Sequence, residues 1–400
     1  MRTSTIGLWA LTAGLAAAKT CYNVTVEVPV TARNGVFDNI NTPQTNFDAT
    51  SFVLSATKQG RNLSETALSG YATVSGHYNI STQYCMPKNA GNSAYTLQIL
   101  THGMGFDKSY WDLPYHNYNY SYVDYVLSLG YHTLSYDRLG LGKSSHGDAK
   151  NEIQAFLEIE ALAQLTRMVR NGKMSKIKTP AKVVHVGHSF GSAQTVALSA
   201  MYPELSDALV LTGYTTSADY MPMFLSGANF QQARLNGKNS DYTAGYLKSA
   251  DIGSNVYLFF YPPHFDTGLL ECAEENKQPM TIGELLTITG LPAQSNFTGP
   301  VYVIDGANDV PFCGGDCLHT GGKAASIPAA AKGIFPLATA FSAYVHPNTG
   351  HAINLHYNAT GAYKQINDFL GAHGLLSKSH HNDHARHHQR KDGGTKGPDL

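Results

Sequence analysis

The stretch KVVHVGHSFGS, residues 182–192, places Ser189 between two glycines directly after a run of β-branched residues. A strand followed at once by a glycine-flanked serine is typical of a tight strand-to-helix turn that exposes the serine hydroxyl. Short Gly/Ser patterns also arise by chance, because the chain has 38 glycines. Whether Ser189 is a nucleophile or only a small residue in a bend therefore depends on what the rest of the chain supplies.

The composition indicates a folded protein with neutral or apolar partners. Of its 400 residues, 42% are hydrophobic and 14% are charged, and 28 Lys and Arg against 29 Asp and Glu give a formal net charge of -1. Such a chain can bury a large core, and it offers no basic surface to nucleic acid or anionic lipid. We expect a small-molecule substrate, no nucleic acid, no membrane insertion, no cofactor and no metal. The oligomeric state stays open.

The N-terminus has the features of a secretory signal peptide. The sequence MRTSTIGLWALTAGLAAAKTC contains a single Arg, an apolar stretch from Ile6 to about Leu15, and three alanines at 16–18 before a cleavage point. This stretch is shorter than the roughly 20 apolar residues that a membrane anchor needs. We therefore expect a signal peptide at 1–18 and a secreted, extracellular product.

Glycosylation sequons fit an exported chain, although sequons also occur by chance. Six asparagines precede x-Ser/Thr with x not proline: Asn23, Asn62, Asn79, Asn119, Asn296 and Asn358.

The five cysteines belong in an oxidising compartment, where pairing is expected and one thiol is left over. Cys21 begins the run CYNVTVEVPV, and Cys85 ends the run HYNISTQYC. If these runs are consecutive antiparallel strands, the start of one lies beside the end of the other, so that the two sulfurs meet. Cys313 and Cys317, in CGGDC, can close a small ring, which leaves Cys272 unpaired.

Short β-prone runs alternate with helical patterns along most of the chain. The runs cover 95–103, 131–137, 181–188, 208–214, 301–306 and 341–347. Between most of them, apolar residues recur at three-to-four spacing, as in 151–172, which ends in a Gly stop. This alternation predicts crossover units and a mainly parallel sheet. Residues 34–70 are polar and irregular, and we expect a surface excursion there with one helix near 47–58.

A long insert interrupts the alternation after the strand at 208–214. Residues 215–298 are helix-compatible and rich in large apolar side chains, so we interpret them as a helical cap. Its aromatic residues either form the cap's own core or line the substrate site, and Phe224, Phe230 and Phe260 are the candidates for substrate binding. The expected organisation is a signal peptide at 1–18, a core at 19–214 and 299–375, the cap at 215–298 and a disordered, His-rich tail at 376–400.

A catalytic serine needs an imidazole that takes its proton and a carboxylate that orients the imidazole. In parallel sheets such groups collect at the carboxyl ends of strands. For the acid, VYVIDGANDVP at 301–311 offers Asp305 and Asp309. Asp309 is favoured, because it lies on the loop, where it can turn toward a histidine.

Among the 18 histidines, the base is expected to follow the carboxyl end of a strand, as the acid does. The segment VHPNTGHAINLH follows the last predicted strand and contains His351, with His346 and His356 as competitors. We favour His351, because Gly350 permits a close turn and a helix from about Ala352 would fix its position.

The oxyanion of a tetrahedral intermediate needs backbone N–H donors. Met104, in the glycine-containing loop THGMGF, and Phe190, directly after the nucleophile at a helix start, are the candidates. His102 and His188 are then neighbours of the site. His102 is expected to shape the loop, and His188 to pack beneath the turn.

Together these motifs resemble the α/β-hydrolase superfamily over about residues 90–370. They are HGMG, YDRLGLGKS, GHSFG, DGAND and the GH at 350–351, and their Ser, Asp, His order is the one that superfamily shows. The wider HGMGFDKSYWD and SYDRLGLGKSSHG also resemble secreted hydrolases of filamentous fungi. The resemblance implies an α/β-hydrolase fold, with Ser189, Asp309 and His351 as the triad of a serine hydrolase that cleaves carboxylic esters, lactones or small amides. The apolar, weakly charged cap predicts that the substrates are neutral and fairly apolar.

Two other classes of function stay open. The same triad can serve hydroxynitrile cleavage or cofactor-free peroxidation, and a catalytically silent binding protein can use the same fold. Ser189 at the elbow excludes relatives that use Asp there, such as dehalogenases and epoxide hydrolases. The substrate is not predicted.

Overall fold

The structure, a computed structural model, describes residues 19–91, 94–237 and 240–376. The predicted signal peptide and all but the first residue of the predicted tail lie outside the described residues.

The described part of the chain contains one large and one small sheet. The strands are β1 Lys19–Val36, β2 Gly70–Pro87, β3 Thr96–Thr101, β4 His132–Tyr136, β5 Lys182–His188, β6 Ala208–Thr212, β7 Gln231–Gln232, β8 Tyr246–Lys248, β9 Met280–Thr281, β10 Val301–Gly306 and β11 Phe341–His346. Eight of them form the large sheet, in the order β1-β2-β4-β3-β5-β6-β10-β11. From β4 to β11 neighbouring strands are parallel, which confirms the predicted sheet.

The antiparallel edge of the large sheet is a long hairpin of β1 and β2. Its register places Cys21 opposite Cys85, and the two form a disulfide, as the strand pattern predicts. The hairpin is longer than predicted, because β1 continues to Val36, where Gln154 accepts from Gly35 N–H and donates to Gly35 O, both at 2.8 Å.

Helices pack on both faces of the sheet. They are α1 Asn46–Ala56, α2 Leu63–Ala67, α3 Tyr122–Ser128, α4 Ala155–Arg170, α5 Phe190–Met201, α6 Met221–Gly227, α7 Ile252–Phe259, α8 Thr267–Asn276, α9 Ile282–Thr287, α10 Val310–Cys313 and α11 Ala359–Ala372. Short 3-10 helices lie at Lys108–Trp111, Pro203–Leu205, Ala233–Leu235, Ile288–Gly290, Pro328–Ile334 and Ile353–Leu355. Successive strand side chains point to opposite faces, so Ile99 joins the apolar cluster that contains α4, whereas Leu100 joins the cluster that contains α3 and α11.

The excursion between β1 and β2 contains two helices, one more than predicted. Thr45 and Asp48 form a capping box that starts α1, with Asp48 N–H donating to Thr45 Oγ1 at 3.1 Å and Thr45 N–H to Asp48 Oδ2 at 2.9 Å. Helix α2 has five residues, which is too short to show a period.

The insert between β6 and β10 holds α6 to α9 and also the small antiparallel sheet of β7, β8 and β9. The sequence predicts helices there but not this sheet, because strands of two or three residues show no alternation. The division into core and cap stays a prediction.

The hydropathy of the helices in the described part of the chain bears on membrane insertion. None of the helices there combines the length and the hydropathy that crossing a bilayer requires.

Candidate active site

Ser189 lies on a strained turn between β5 and α5. Its φ is 56° and its ψ is -120°, a conformation that a side chain normally disfavours. The two flanking glycines are needed for space, because a Cβ at Gly187 would lie 2.5 Å from Gly191 O, and one at Gly191 would lie 2.2 Å from Thr101 O. The turn is thereby pressed against the end of β3, with the serine side chain half-buried.

His351 lies after β11 and is held by a carboxylate. Its Nδ1 and Asp309 Oδ2 form a short hydrogen bond. Because an ionised carboxylate only accepts, Nδ1 carries the proton and Nε2 is left as the acceptor. The rings of Phe259 and Phe312 stack near the imidazole, with centroids at 6.0 and 5.6 Å, and restrict its rotation.

Asp309, and not Asp305, is the acid that is hydrogen-bonded to His351. Asp309 also caps α10, accepting from Phe312 N–H at 2.7 Å. Burial acts to raise the pKa of Asp309, but the charge and hydrogen bond of His351 outweigh it and lower this pKa below the usual range. Asp305 accepts from Gly306 N–H at 2.8 Å.

Ser189 and His351 flank the same short segment after β6. The Ser189 N–H donates to Thr212 O at 2.9 Å, and a Cβ on the next residue, Gly213, would lie 3.0 Å from Cε1 of His351. Within residues 19–91, 94–237 and 240–376 the Ser189 hydroxyl makes no hydrogen bond. Without substrate, catalytic hydrogen bonds are often long and tighten only when substrate binds.

The two candidate oxyanion donors lie on either side of Ser189. Phe190 is the first residue of α5, where N–H groups have no partner within the helix. Gly103 packs on the turn, since a Cβ there would lie 2.8 Å from that of Ser189, and this brings Met104 alongside. Neither the Met104 nor the Phe190 amide donates a hydrogen bond within the described part of the chain, so both are free to bind an anion.

The two histidines beside the site have other partners. His102 accepts from Arg138 N–H at 3.1 Å. Nδ1 of His188 lies 3.1 Å from Thr212 Oγ1, and its ring stacks on that of Tyr110 with the centroids 4.4 Å apart. Burial lowers the pKa of both imidazoles well below the usual range, and the charge of Arg138 adds to the effect at His102, so both are neutral.

The competitors of His351 hold the loop rather than face Ser189. His346 bonds to Asn358 O at 2.9 Å. His356 Nε2 accepts from Gly350 N–H and Tyr261 N–H, each at 3.0 Å. His356 therefore ties the His351 loop to the insert, a role that the sequence analysis missed. Gly350 is required there, since a Cβ would lie 2.8 Å from the carbonyl carbon of Phe260.

A buried ion cluster connects the insert to the elbow. Arg138 pairs with Glu158 at 2.7 Å and closely with Glu284 of α9, and its guanidinium lies 4.7 Å from the ring centroid of Phe190. Burial, and then the charge of Glu284, raise the pKa of Glu158 well above the usual range despite Arg138. No sequence motif marks this cluster.

A cavity of about 250 Å³ opens onto Ser189. Met104, Phe190 and Phe224 line it, as the sequence analysis expects, but Phe230 and Phe260 do not. Phe230 packs edge-on against Phe224, and Phe260 packs edge-on against Phe265, with its ring centroid 5.8 Å from that of His356. Both rings are therefore buried away from this cavity, and substrate binding by Phe224, Phe230 and Phe260 stays a prediction.

The excursion between β1 and β2 forms one wall of the same cavity. Phe52 and Ala56 of α1, together with Leu63 of α2, line it. No sequence pattern reveals this wall, because only tertiary packing brings a segment so far from Ser189 in sequence to the site.

The second disulfide, Cys313–Cys317, lies directly after the loop that holds Asp309. Cys272, in α8, is half-buried and free. Both are as expected from the cysteine spacing.

Comparison with known proteins identifies the family to which this fold belongs. Among curated proteins no match was found. The solved enol-lactonase from Burkholderia xenovorans LB400 is similar, with a TM-score of 0.50 and 15% identity over 74% of this chain and 97% of that one. A thermophilic esterase from Thermogutta terrifontis has a TM-score of 0.49 and 14% identity over 74% and 94% of the two chains. The sequence profile of the Alpha/beta hydrolase family matches residues 98–361, more than half of the chain, and the chain therefore belongs to the α/β-hydrolase family.

Proposed function

We propose that the protein is a secreted serine hydrolase that cleaves carboxylic esters, with lactones and small amides as related substrates, through an acyl-enzyme. One observation carries the proposal: Ser189 follows β5, and the hydrogen-bonded Asp309 and His351 follow β10 and β11. The carboxyl ends of these parallel strands meet at one edge of the sheet, where ligands of open α/β folds bind.

In the proposed reaction, Nε2 of His351 takes the Ser189 proton as Oγ attacks the carbonyl carbon of the substrate. The Met104 and Phe190 amides donate to the oxyanion of the intermediate. The imidazolium, stabilised by Asp309, then gives its proton to the leaving alcohol, and the acyl group stays on Ser189. A water that loses its proton to His351 attacks this ester, releases the carboxylic acid and restores the serine.

The cavity supports neutral, fairly apolar substrates. Its lining includes Phe52, Met104, Phe224 and Phe312, and each CH₂ removed from water there contributes about 0.8 kcal/mol to binding. Arg61, an exposed residue, is the one charged group among the described residues that line it. A charged acyl chain would therefore lose its hydrating water and find no opposite charge along most of the cavity, so its binding would be unfavourable.

Secretion is supported by the N-terminal pattern at 1–18 and by the two disulfides, which persist in oxidising compartments. All six sequon asparagines are exposed, as attachment of a glycan requires. The signal peptide, glycosylation and the resemblance to fungal hydrolases stay predictions.

Hydroxynitrile cleavage, cofactor-free peroxidation and silent binding stay alternatives, since each can use the same fold. The Phe190 and Met104 amides favour acyl transfer, because backbone N–H groups beside Ser189 that have no partner in the described part of the chain can donate to an oxyanion.

The test is the hydrolysis of p-nitrophenyl esters of increasing acyl length by the purified protein. We expect kcat/KM to rise with chain length until the cavity is full, and Ser189→Ala to lower kcat on the order of 10⁴-fold or more. Mandelonitrile cleavage and peroxide-dependent halogenation are assayed beside it. The proposal is wrong if either of these exceeds ester hydrolysis, or if Ser189→Ala keeps full esterase activity.

A further inference from the structure

Asp305 is a buried carboxyl group that the proposed reaction does not use. It lies near the end of β10, and its side chain is fully buried. Oδ1 accepts from Gly306 N–H at 2.8 Å, whereas Oδ2 lies 4.0 Å from Sγ of Cys313. Because Cys313 is in a disulfide, that sulfur has no proton to donate. One buried oxygen of Asp305 therefore receives no hydrogen bond from these neighbours, which is costly for a carboxylate.

Asp309 and His351, the proposed catalytic acid and base, lie beside the carboxyl group of Asp305. One carboxyl oxygen of Asp305, one of Asp309 and one ring nitrogen of His351 all lie within 4.8 Å of one another. The two oxygens of Asp309 accept from Phe312 N–H and from His351, and each can accept a second donor. Two carboxylates this close in a buried site do not both ionise.

We propose that Asp305 is a positioning residue: it stays protonated in the folded enzyme, and its carboxylic acid donates a hydrogen bond to the Asp309 carboxylate. Since Asp309 matters only if His351 is the base, this inference rests on the proposed function. The bond fixes the orientation of Asp309 toward His351 and places no second negative charge beside the imidazole.

The electrostatics of the site agree with this assignment. The titratable groups that face Asp305 among the described residues are Asp309 on the next loop, His351 after β11 and Tyr110 on the 3-10 helix. Burial raises the pKa of Asp305 well above its usual range, and the charge and hydrogen bond of Asp309 raise it further. The disulfide of Cys313 and Cys317 also lies within 4.8 Å of the Asp305 carboxyl.

The first test compares two substitutions by steady-state kinetics. Asp305→Ala removes the donor, and kcat should fall about tenfold or more with KM unchanged, since a hydrogen bond to a charged group contributes enough for that factor. Asp305→Asn keeps a neutral donor and should recover most of the lost kcat, with the acid limb of its pH profile at the wild-type position. If Asp305→Asn loses as much as Asp305→Ala, or if its acid limb moves to lower pH, Asp305 is ionised and the inference is wrong.

The second test does not depend on activity. An aspartic acid whose folded pKa is raised contributes stability that is complete below the unfolded value of about 3.9 and is lost as pH rises toward the folded value. The ratio of the unfolding equilibrium constants of wild type and Asp305→Asn should therefore rise up to about tenfold per pH unit above pH ~4. A ratio that does not change with pH contradicts a protonated Asp305.

The two proposals fail in different ways. If Ser189→Ala is fully active, the proposed function is wrong, and the unfolding ratio still reports on the Asp305 proton. If Ser189→Ala is inactive while Asp305→Ala keeps the wild-type kcat, only the role of Asp305 is wrong.

Discussion

Ser189 has a backbone conformation that is unfavourable by itself and that its neighbours impose. A non-glycine residue at φ 56° costs on the order of 1–3 kcal/mol. The close packing at Gly187 and Gly191 offsets this cost. As a result, the Ser189 hydroxyl lies at the carboxyl end of the central strand β5. Gly350 is also required for space, because the backbone of the insert comes too close for any side chain at this position.

Asp309→Asn should reduce kcat on the order of 10⁴-fold while leaving the protein folded. The amide at this position can offer Nδ2 as a donor, so the proton of His351 moves to Nε2 and the ring no longer accepts from serine. The measurement is kcat, with circular dichroism as the check on folding. A loss of less than tenfold would assign the orienting role elsewhere, with Asp305 as the nearest carboxyl group.

Among individual residues, the sequence predicts those whose place along the chain, directly after a strand, marks them. Ser189, Asp309 and His351 each follow a recognisable strand, and the loop position of Asp309 and Gly350 before His351 separate them from their competitors. The roles of Asp305 and His356 are not visible in sequence, because each depends on a three-dimensional neighbour: the Asp309 carboxylate for Asp305, and the Tyr261 amide for His356.

Among the elements, two separate segments cover the carboxyl edge of the sheet. The insert contributes α6 and α9, and the excursion between β1 and β2 contributes α1 and α2. Arg138, Glu158 and Glu284 connect α9 to the core next to Phe190. The insert is therefore attached at the elbow as well as at its two ends.

Phe52→Ala and Phe224→Ala should extend the preferred acyl chain, because each removes a ring from the cavity wall. Phe230→Ala is the matched control, since Phe230 packs on Phe224 with centroids 6.0 Å apart but does not line the cavity. It should destabilise the protein by about 3–5 kcal/mol without changing chain-length preference. The measurement is kcat/KM across p-nitrophenyl esters, with urea unfolding for stability. Unchanged preference in both wall variants would contradict the assignment of the cavity.

The elements themselves were largely predictable. β-branched runs and three-to-four apolar spacing marked the strands and α4, since these patterns reflect burial on a sheet or a helix face. The small sheet in the insert, α2 and the contact of α1 with the site were not, because short elements show no period and the contact depends on tertiary packing.

For the whole molecule, the fold brings residues from distant parts of the chain to one edge of one sheet. Strands β1 and β2, joined by the Cys21–Cys85 disulfide, form one side of the large sheet, and β10 and β11 form the other. Ser189 lies between the carboxyl ends of the central strands and the two segments that line its cavity. This arrangement supports a nucleophile that is held in place before substrate arrives.

The central claim is that Ser189 is an activated nucleophile, and covalent labelling by a fluorophosphonate probe tests it most directly. An activated hydroxyl attacks phosphorus as it attacks a carbonyl carbon, so peptide mapping by mass spectrometry should find the adduct on Ser189. Labelling should be absent in Ser189→Ala and strongly slowed in His351→Ala. Labelling that persists in Ser189→Ala, or a folded wild-type protein that does not react, would contradict the account.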